Sequence, residues 1–213
     1  MPTISILVEG DDGVMRPFVP RAEGEEPEVA PIVLASAAAA YYVARGDCLE
    51  MMRKLREESV DLIVTDPAYE SLEKHRNHGT TTRLTNAWFP VVPNSYFEEF
   101  FRQCYRVLKK NTHCYVMCDD ETAYIIKPMG EAAGFKYWKR VIWNKETIGM
   151  GYHYREQVEY VLFFEKGKRK LHDLGMSNLR SYKRIRNGYP TEKPVELCAD
   201  FISQSSNVGE LVF

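Results

Sequence analysis

Apolar residues follow two alternating patterns along this chain: short unbroken runs, and longer stretches with helical spacing. The runs at Val60–Thr65 and His113–Cys118 are typical of strands that are buried on both faces. Between them, apolar residues recur every three or four positions after Ser95, which indicates a helix with one buried face. Alternation of strands and helices predicts an α/β fold with a mostly parallel sheet. The apolar face of that helix consists of Phe97, Phe100, Phe101, Cys104 and Leu108.

Residues that typically begin or end helices and strands predict the bounds of the remaining elements. Asp47, followed three residues later by Glu50, resembles a capping box and begins a helix, and Pro194 begins the last helix. Because parallel crossovers are right-handed, Asp47 and Asp66 are expected at the same carboxyl edge of the sheet. The other predicted elements are strands at Tyr41–Ala44, Lys139–Asn144, Val158–Phe164 and Glu210–Phe213, a helix at Glu121–Ala133, and a Gly149-Met150-Gly151 loop.

A change in composition near residue 40 predicts two parts. Residues 1–40 are rich in Pro, Glu and Ala and are interpreted as a partly disordered N-terminal extension. Residues 41–213 are interpreted as one domain, which contains a long loop at 70–94. His75 and His78 in that loop have metal-ligand spacing, but no partner ligand lies nearby in the sequence, so no metal site is predicted.

Composition excludes several classes of protein. A chain of 213 residues with 45% hydrophobic residues can fill a sizeable core, and it has neither a membrane-length apolar stretch nor a secretory signal, so a cytoplasmic location is expected. The five cysteines form no C-x-x-C pair, which argues against a zinc finger or a disulfide framework. No G-x-G-x-x-G or P-loop pattern is present.

The net charge of -2 is unevenly distributed. Residues 1–40 hold seven acidic residues against two basic ones, a net of -5, whereas residues 166–193 hold nine basic residues against two acidic ones, a net of +7. Basic residues interleaved with tyrosines are suited to neutralising phosphates, although a solvated basic loop would look the same. The candidate phosphate-binding residues are Lys74, Arg76 and Arg83 in the long loop, and Lys168, Arg169, Arg180, Lys183, Arg184 and Arg186 in the basic stretch near 166–190.

The tetrapeptide Asp66-Pro67-Ala68-Tyr69 follows the buried strand Val60–Thr65. Open α/β sheets bind their ligands at the carboxyl ends of the strands, so a carboxylate, a restrained backbone and an aromatic ring are delivered to one cleft. A plain Asp-Pro turn that closes the strand is the alternative interpretation of this motif alone.

Several further motifs give the chain a family resemblance. Asp66-Pro67-Ala68-Tyr69 is similar to the D-P-P-Y signature of the amino-group DNA methyltransferases of the permuted β type, and Gly46-Asp47-Cys48-Leu49 resembles their G-D-x-L element. The matches run in the family's order over residues 41–213. The others are Tyr105-Arg106-Val107-Leu108-Lys109, Val141-Ile142-Trp143-Asn144-Lys145, the strand with Glu159 at Arg155–Phe164, and Thr191-Glu192-Lys193-Pro194.

The resemblance implies a Rossmann-like S-adenosylmethionine-dependent methyltransferase fold, circularly permuted, that methylates adenine N6 in double-stranded DNA after flipping out the target base. An aspartate at the first motif position favours adenine over cytosine. A homodimer is an open alternative to a monomer. By resemblance, Asp66, Pro67 and Tyr69 are the catalytic residues, and the S-adenosylmethionine-binding residues are Asp47, Cys48, Asp66, Thr191, Lys193 and Pro194.

The chain departs from the family pattern at two places. Ala68 replaces the second proline, which loosens the restraint on Pro67 but keeps the carboxylate, the carbonyl and the ring. The glycine loop expected after Phe213 is missing, so the domain is expected to be C-terminally incomplete. The alternatives are therefore a catalytically silent nucleic-acid-binding module, an N4-cytosine or RNA methyltransferase, and a methyltransferase of protein side-chain amides.

Overall fold

The computed structural model describes residues 7–9, 15–17, 46–75, 91–150, 152–186 and 191–213. Within the first forty residues, β1 (Leu7–Glu9) pairs antiparallel with β2 (Met15–Pro17). The predicted strand at Tyr41–Ala44, most of the loop at 70–94 and the rest of the extension lie outside the described residues.

The domain is built on a five-stranded sheet in the order β3-β4-β6-β5-β7. The β3–β4 and β5–β7 pairings are parallel, and β6 is antiparallel to both β4 and β5, so four of the five strands run in one direction, as predicted. Leu62 also forms a parallel bridge with Val212, which places the C-terminal residues beside β3. The strands are β3 (Val60–Thr65), β4 (Leu108–Cys118), β5 (Lys136–Asn144), β6 (Val158–Lys166) and β7 (Leu179–Ser181).

The predicted helices are present with small boundary changes. Asp47 caps the first of them, because its Oδ1 accepts from the backbone N–H groups of Leu49 (2.9 Å) and Glu50 (3.1 Å). The β4 strand begins at Leu108, five residues before the apolar run at His113, because backbone pairing with β3 extends past the exposed polar residues. The helices are α1 (Cys48–Lys54), α2 (Tyr96–Val107), α3 (Asp120–Ala132) and α4 (Val195–Ser205), and a 3₁₀ helix spans Glu70–His75.

Helices cover both faces of the sheet. On one face, α2 packs its phenylalanines against β6, with the Phe101 and Phe164 ring centroids 5.3 Å apart. On the other face, Tyr115 of β4 stacks against Phe163 (4.8 Å) and against Phe201 of α4 (4.6 Å). Burial on both faces fixes the register of the strands, and with it the residues that emerge at each edge.

We expect Gly130→Ala to destabilise the protein. A Cβ on Gly130 in α3 would lie 2.7 Å from Cε1 of the fully buried Phe164. Overpacking of this kind costs roughly 1 to 3 kcal/mol, and the better helix propensity of alanine returns about 1 kcal/mol of it. The free energy of unfolding, measured by urea denaturation, should therefore fall by about 1 kcal/mol.

Gly46→Ala is the matched control, because a Cβ there would meet only the flexible Met51 side chain at an ordinary 3.4 Å. It should change stability by less than about 0.5 kcal/mol. Equal effects of the two substitutions would contradict the close approach of α3 to the sheet.

Candidate functional site

Asp66 lies directly after β3 and is paired with Lys193, the residue two positions before α4. The Lys193 ammonium lies 2.9 Å from Oδ2 of Asp66. The Asp66 side chain keeps 34% of its surface exposed and that of Lys193 only 13%. The structure therefore brings together two of the residues that the sequence predicted for one site.

Glu159, at the start of β6, is the second carboxylate of this cluster. Its Oε2 lies 3.2 Å from the Lys193 ammonium, and its Oε1 lies 3.4 Å from that of Lys145, the residue after β5. Because β6 runs against its neighbours, its first residues reach the edge where β3 and β5 end. Two carboxylates and two ammonium groups thus form a neutral set, called here the edge cluster: Asp66, Lys145, Glu159 and Lys193.

Burial and charge act in opposite directions on the pKa values of the edge cluster. Crowding by protein raises the pKa of Asp66 above its usual value, Lys193 opposes that rise, and Glu159 adds to it. Burial alone would lower the pKa of Lys193, but the two neighbouring carboxylates outweigh it and raise this pKa. For Glu159, the two lysines outweigh burial and lower the pKa.

A backbone hydrogen bond holds the rest of the tetrapeptide in place after β3. The Ala68 carbonyl accepts from the Val92 N–H (2.8 Å), which ties the tetrapeptide to the far end of the 70–94 loop. Among the described residues, no backbone donor engages the Pro67 carbonyl. The Tyr69 ring is only 6% exposed and belongs to the core, so stacking on a base would require part of its cover to move.

Asp47 and Cys48 form a separate cluster with Tyr96. The Cys48 thiol lies 3.1 Å from the Tyr96 hydroxyl, which also donates to Oδ2 of Asp47 at 3.4 Å. Burial raises the pKa of the Cys48 thiol, and the side chain packs in the core. Within the described part of the chain, no hydrogen bond or ion pair links this cluster to the edge cluster.

Thr191 and Pro194 flank Lys193. The Thr191 carbonyl lies 3.4 Å from the Lys193 ammonium, and Pro194 occupies the N-cap position of α4. Of these three predicted residues, Lys193 is the one that contacts Asp66.

The basic stretch is divided between opposite edges of the sheet. Lys168 and Arg169 follow the carboxyl end of β6, which pairs with Thr112, whereas the edge cluster lies beyond Cys118 at the other end of β4. Six residues of strand separate these ends, roughly 20 Å. Arg169 is also half-buried in an ion pair with Glu210 (2.9 Å). The other three basic residues follow β7, at the edge of the sheet where the edge cluster lies. They are Lys183, Arg184 and Arg186, and all three are exposed.

The remaining predicted basic residues have different surroundings. Lys74 is exposed and ion-paired with Glu121. Arg180 is bound by Asp200 and packs near the Tyr182 ring, so much of its charge is neutralised within the fold. Arg76 and Arg83 lie outside the described residues.

Glu159 and Lys145 were absent from the predicted site residues. A signal for Glu159 exists in the sequence, because it is a single acidic residue at the start of an otherwise apolar strand, Val158–Phe164. Its pairing with Lys193 depends on the sheet order, which the sequence pattern does not disclose.

The part of the chain that the structure describes lacks a metal-binding cluster and a membrane-spanning helix. It contains no group of three or more His, Cys, Asp or Glu side chains that could hold a metal ion. None of its helices is long and apolar enough to cross a membrane.

Comparison with known proteins identifies the family. The model of the N6_N4_Mtase family, described as DNA methylase, matches residues 60–213. The chain belongs to this DNA methylase family. The matched region contains the whole edge cluster and the tetrapeptide.

The curated relatives of this chain are distant from it in sequence. The type II methyltransferase M.HpaI of Haemophilus parainfluenzae is 26% identical over 197 residues, which cover 78% of this chain and 60% of that protein. The DNA adenine methyltransferase YhdJ of Escherichia coli K12 is 25% identical, over 80% of this chain and 69% of its own length. The chain thus spans between three fifths and seven tenths of these two relatives.

Solved structures show the same fold. The PvuII DNA methyltransferase, which is cytosine-N4-specific, has a TM-score of 0.61 and 18% identity, with 78% of this chain and 71% of that chain covered. TTHA0409 from Thermus thermophilus, complexed with S-adenosyl-L-methionine, has a TM-score of 0.55 and 20% identity, with 78% and 75% covered. The predicted Rossmann-like methyltransferase fold is confirmed.

Lys193→Met should destabilise the protein and raise the pKa of both carboxyl groups of the edge cluster, because it removes the cation between them. We expect the free energy of unfolding at neutral pH to fall by roughly 1 to 3 kcal/mol. The lowered pKa of Glu159 in the wild type contributes stability above the ordinary glutamate pKa, and this contribution is lost as the pH falls through the lowered value. The deficit of the variant should therefore shrink as the pH falls and the carboxyl groups become protonated.

Urea denaturation over a series of pH values measures this deficit. Lys74→Met removes an ion pair whose two side chains are 62% and 49% exposed, and it should cost less than about 1 kcal/mol. A Lys193→Met protein as stable as the wild type at neutral pH would show that the edge cluster is not held by charge.

Proposed function

We propose that this protein transfers a methyl group from S-adenosylmethionine to the N6 amine of adenine in double-stranded DNA. The observation that carries the proposal is the arrangement of Asp66, which has one carboxylate oxygen held by Lys193 at the carboxyl edge of a methyltransferase-type sheet. The second oxygen is available to a substrate amine. The DNA adenine methyltransferase YhdJ, as a relative, supports adenine as the target.

In the proposed reaction the protein orients the nucleophile. The lone pair of an exocyclic amine is delocalised into the base, so attack requires the nitrogen to become tetrahedral. Asp66 Oδ1 and the Pro67 carbonyl would accept the two amine hydrogens and aim the lone pair at the methyl carbon. The raised pKa of Asp66 makes it a better acceptor for the proton that nitrogen loses after the transfer.

The hydrogen-bond acceptors at this edge suit the proposed cofactor. S-Adenosylmethionine supplies a methyl group activated by a positively charged sulfur, and it carries hydroxyl and amine donors that require acceptors. Asp66 and Glu159 provide carboxylates at this edge, and the structural neighbour TTHA0409 supports the choice, since it was solved with this cofactor. We assign Asp47, Cys48, Thr191, Lys193 and Pro194 to its surroundings as candidates, with Lys193 acting chiefly on Asp66.

For DNA, the geometry favours part of the predicted basic set. The exposed residues Lys183, Arg184 and Arg186 lie on the same edge as Asp66 and could bind phosphates around a flipped base. Lys168 and Arg169 lie on the opposite edge, and we leave them out of the proposed DNA surface.

Methylation of cytosine N4 is the second candidate. The PvuII methyltransferase, whose fold this chain shares, is cytosine-N4-specific. The same pair of acceptors could orient either amine, so the two candidates differ only in the base that the pocket admits.

Asp66→Ala should abolish methyl transfer. Removal of one preorganised group of this kind costs at least about 100-fold in rate. The test incubates the protein with labelled S-adenosylmethionine and unmethylated duplex DNA, and identifies the product nucleoside by mass spectrometry. The expected product is N6-methyladenine, and N4-methylcytosine would establish the second candidate.

Asp173→Ala is the control, because Asp173 is an exposed aspartate whose carboxylate, among the described residues, accepts from the Gly175 N–H. It should retain wild-type activity. No labelled product from wild-type protein, together with no heat of cofactor binding in calorimetry, would instead favour the catalytically silent module. Product on RNA or protein alone would also refute DNA as the substrate.

Replacing Arg184 and Arg186 together with alanine should weaken DNA binding and flatten its salt dependence. Each phosphate contact contributes about 0.9 to the slope of log K against log salt concentration, so the slope should fall by about 2. The double variant of Lys168 and Lys170 removes the same charge from the opposite edge and should leave the slope unchanged. Equal slopes for both double variants would show that the two edges do not differ in DNA binding.

A further inference from the structure

The connection between β5 and β6 exposes several large apolar side chains. Tyr152 is 92% exposed, Met150 77%, and Tyr154 is fully exposed, with Ile148 more than half exposed. Four such side chains within seven residues form an exposed apolar surface. It does not contribute to the core, and surfaces of this kind mark binding sites. This surface is called here the tyrosine loop, residues 148–155 without Gly151, which lies outside the described residues.

The base of the tyrosine loop is fixed by hydrogen bonds. The Lys145 N–H donates to the Gln157 carbonyl (2.9 Å), and the Gly149 N–H donates to the Glu156 carbonyl (2.7 Å). The Arg155 Nε donates to the Gly149 carbonyl at 2.6 Å. The tyrosines are therefore presented outward from an anchored turn.

The position of the tyrosine loop relates it to the edge cluster. The chain leaves β5 through Lys145 and enters β6 at Val158, one residue before Glu159. Lys145 and Glu159 are ion-paired at the base of the loop. On its other side, Ile148, Gly149 and Met150 share a cleft of about 230 Å³ with Arg184 and Arg186. The loop that carries the tyrosines thus shares a cleft with two arginines, at the same end of the sheet as the edge cluster.

We propose that the tyrosine loop binds DNA next to the flipped base, with Tyr152 and Tyr154 stacking on bases that have lost a stacking partner. This proposal rests on the proposed function. Exposed aromatic rings beside cationic groups are the combination that binds unstacked nucleotides, since the rings contact base faces and the arginines contact the backbone.

The charges favour DNA over another protein as the occupant. Arg184 and Arg186 line the cleft, and the exposed Lys183 precedes them, so an apolar protein partner would have to bury cations. The acidic Glu156 at the loop base accepts from the Val158 N–H, which directs its carboxylate to the backbone.

Binding of two labelled duplexes, measured by fluorescence anisotropy, tests the proposal. One duplex is fully paired and the other carries an abasic site, which leaves neighbouring base faces exposed. The Tyr152→Leu/Tyr154→Leu double variant keeps apolar area but lacks aromatic faces. It should bind the abasic duplex about tenfold more weakly than the wild type, with a smaller loss on paired DNA.

Two controls separate stacking from general effects. The Tyr152→Phe/Tyr154→Phe variant retains both rings and should bind both duplexes within about twofold of the wild type. Val208→Ala changes a fully exposed apolar side chain at the opposite edge of the sheet and should leave binding unchanged.

Three results would overturn the proposal: unchanged affinity of the leucine variant, equal losses on both duplexes, or no DNA binding by the wild-type chain. Wild-type self-association that the leucine variant abolishes, with DNA affinity intact, would assign the loop to a second copy of this chain. Anisotropy needs no methyl transfer, so an inactive protein that still shows the stacking effect would refute the proposed function and retain this inference.

Discussion

The candidate site depends on one interaction, the contact of the Lys193 ammonium with both Asp66 and Glu159. Without that cation, two carboxylates would face each other at the end of the sheet, and each would raise the pKa of the other. With it, and with Lys145 beside Glu159, the four charges cancel. Compared with an apolar replacement of the whole set, ion pairs of this kind add little to stability, because desolvation offsets the attraction, although the loss of one partner alone is costly. Their arrangement is therefore better explained by what they orient.

The reversal of β6 explains how these groups meet. Four strands point their carboxyl ends toward Asp66, and the single antiparallel strand brings its first residues to the same edge. The same reversal carries the end of β6, and the basic residues after it, to the opposite edge. One topological feature therefore adds Glu159 to the site and removes Lys168 and Arg169 from it.

Sequence patterns predicted the helices, their buried faces and their caps well. They predicted contacts between residues far apart in the chain less well. The burial of α2 and the cap of α1 at Asp47 follow from periodicity and from side-chain chemistry close in sequence. The pairing of Lys193 with Asp66 joins residues 127 positions apart, and only a resemblance to a known family placed them in one site. The basic stretch appeared as a single unit because charge counting along a chain has no information on which end of a strand each residue follows.

In the proposed reaction, the strength of the Lys193 contact determines how basic Asp66 can be. Crowding raises the pKa of Asp66, which favours its acceptance of the amine proton, while Lys193 keeps it ionised and able to accept a hydrogen bond before the transfer. Glu159 draws the same ammonium toward itself and so weakens its hold on Asp66. Glu159 and Lys145, which would not contact the substrate themselves, would thereby tune the carboxylate that does.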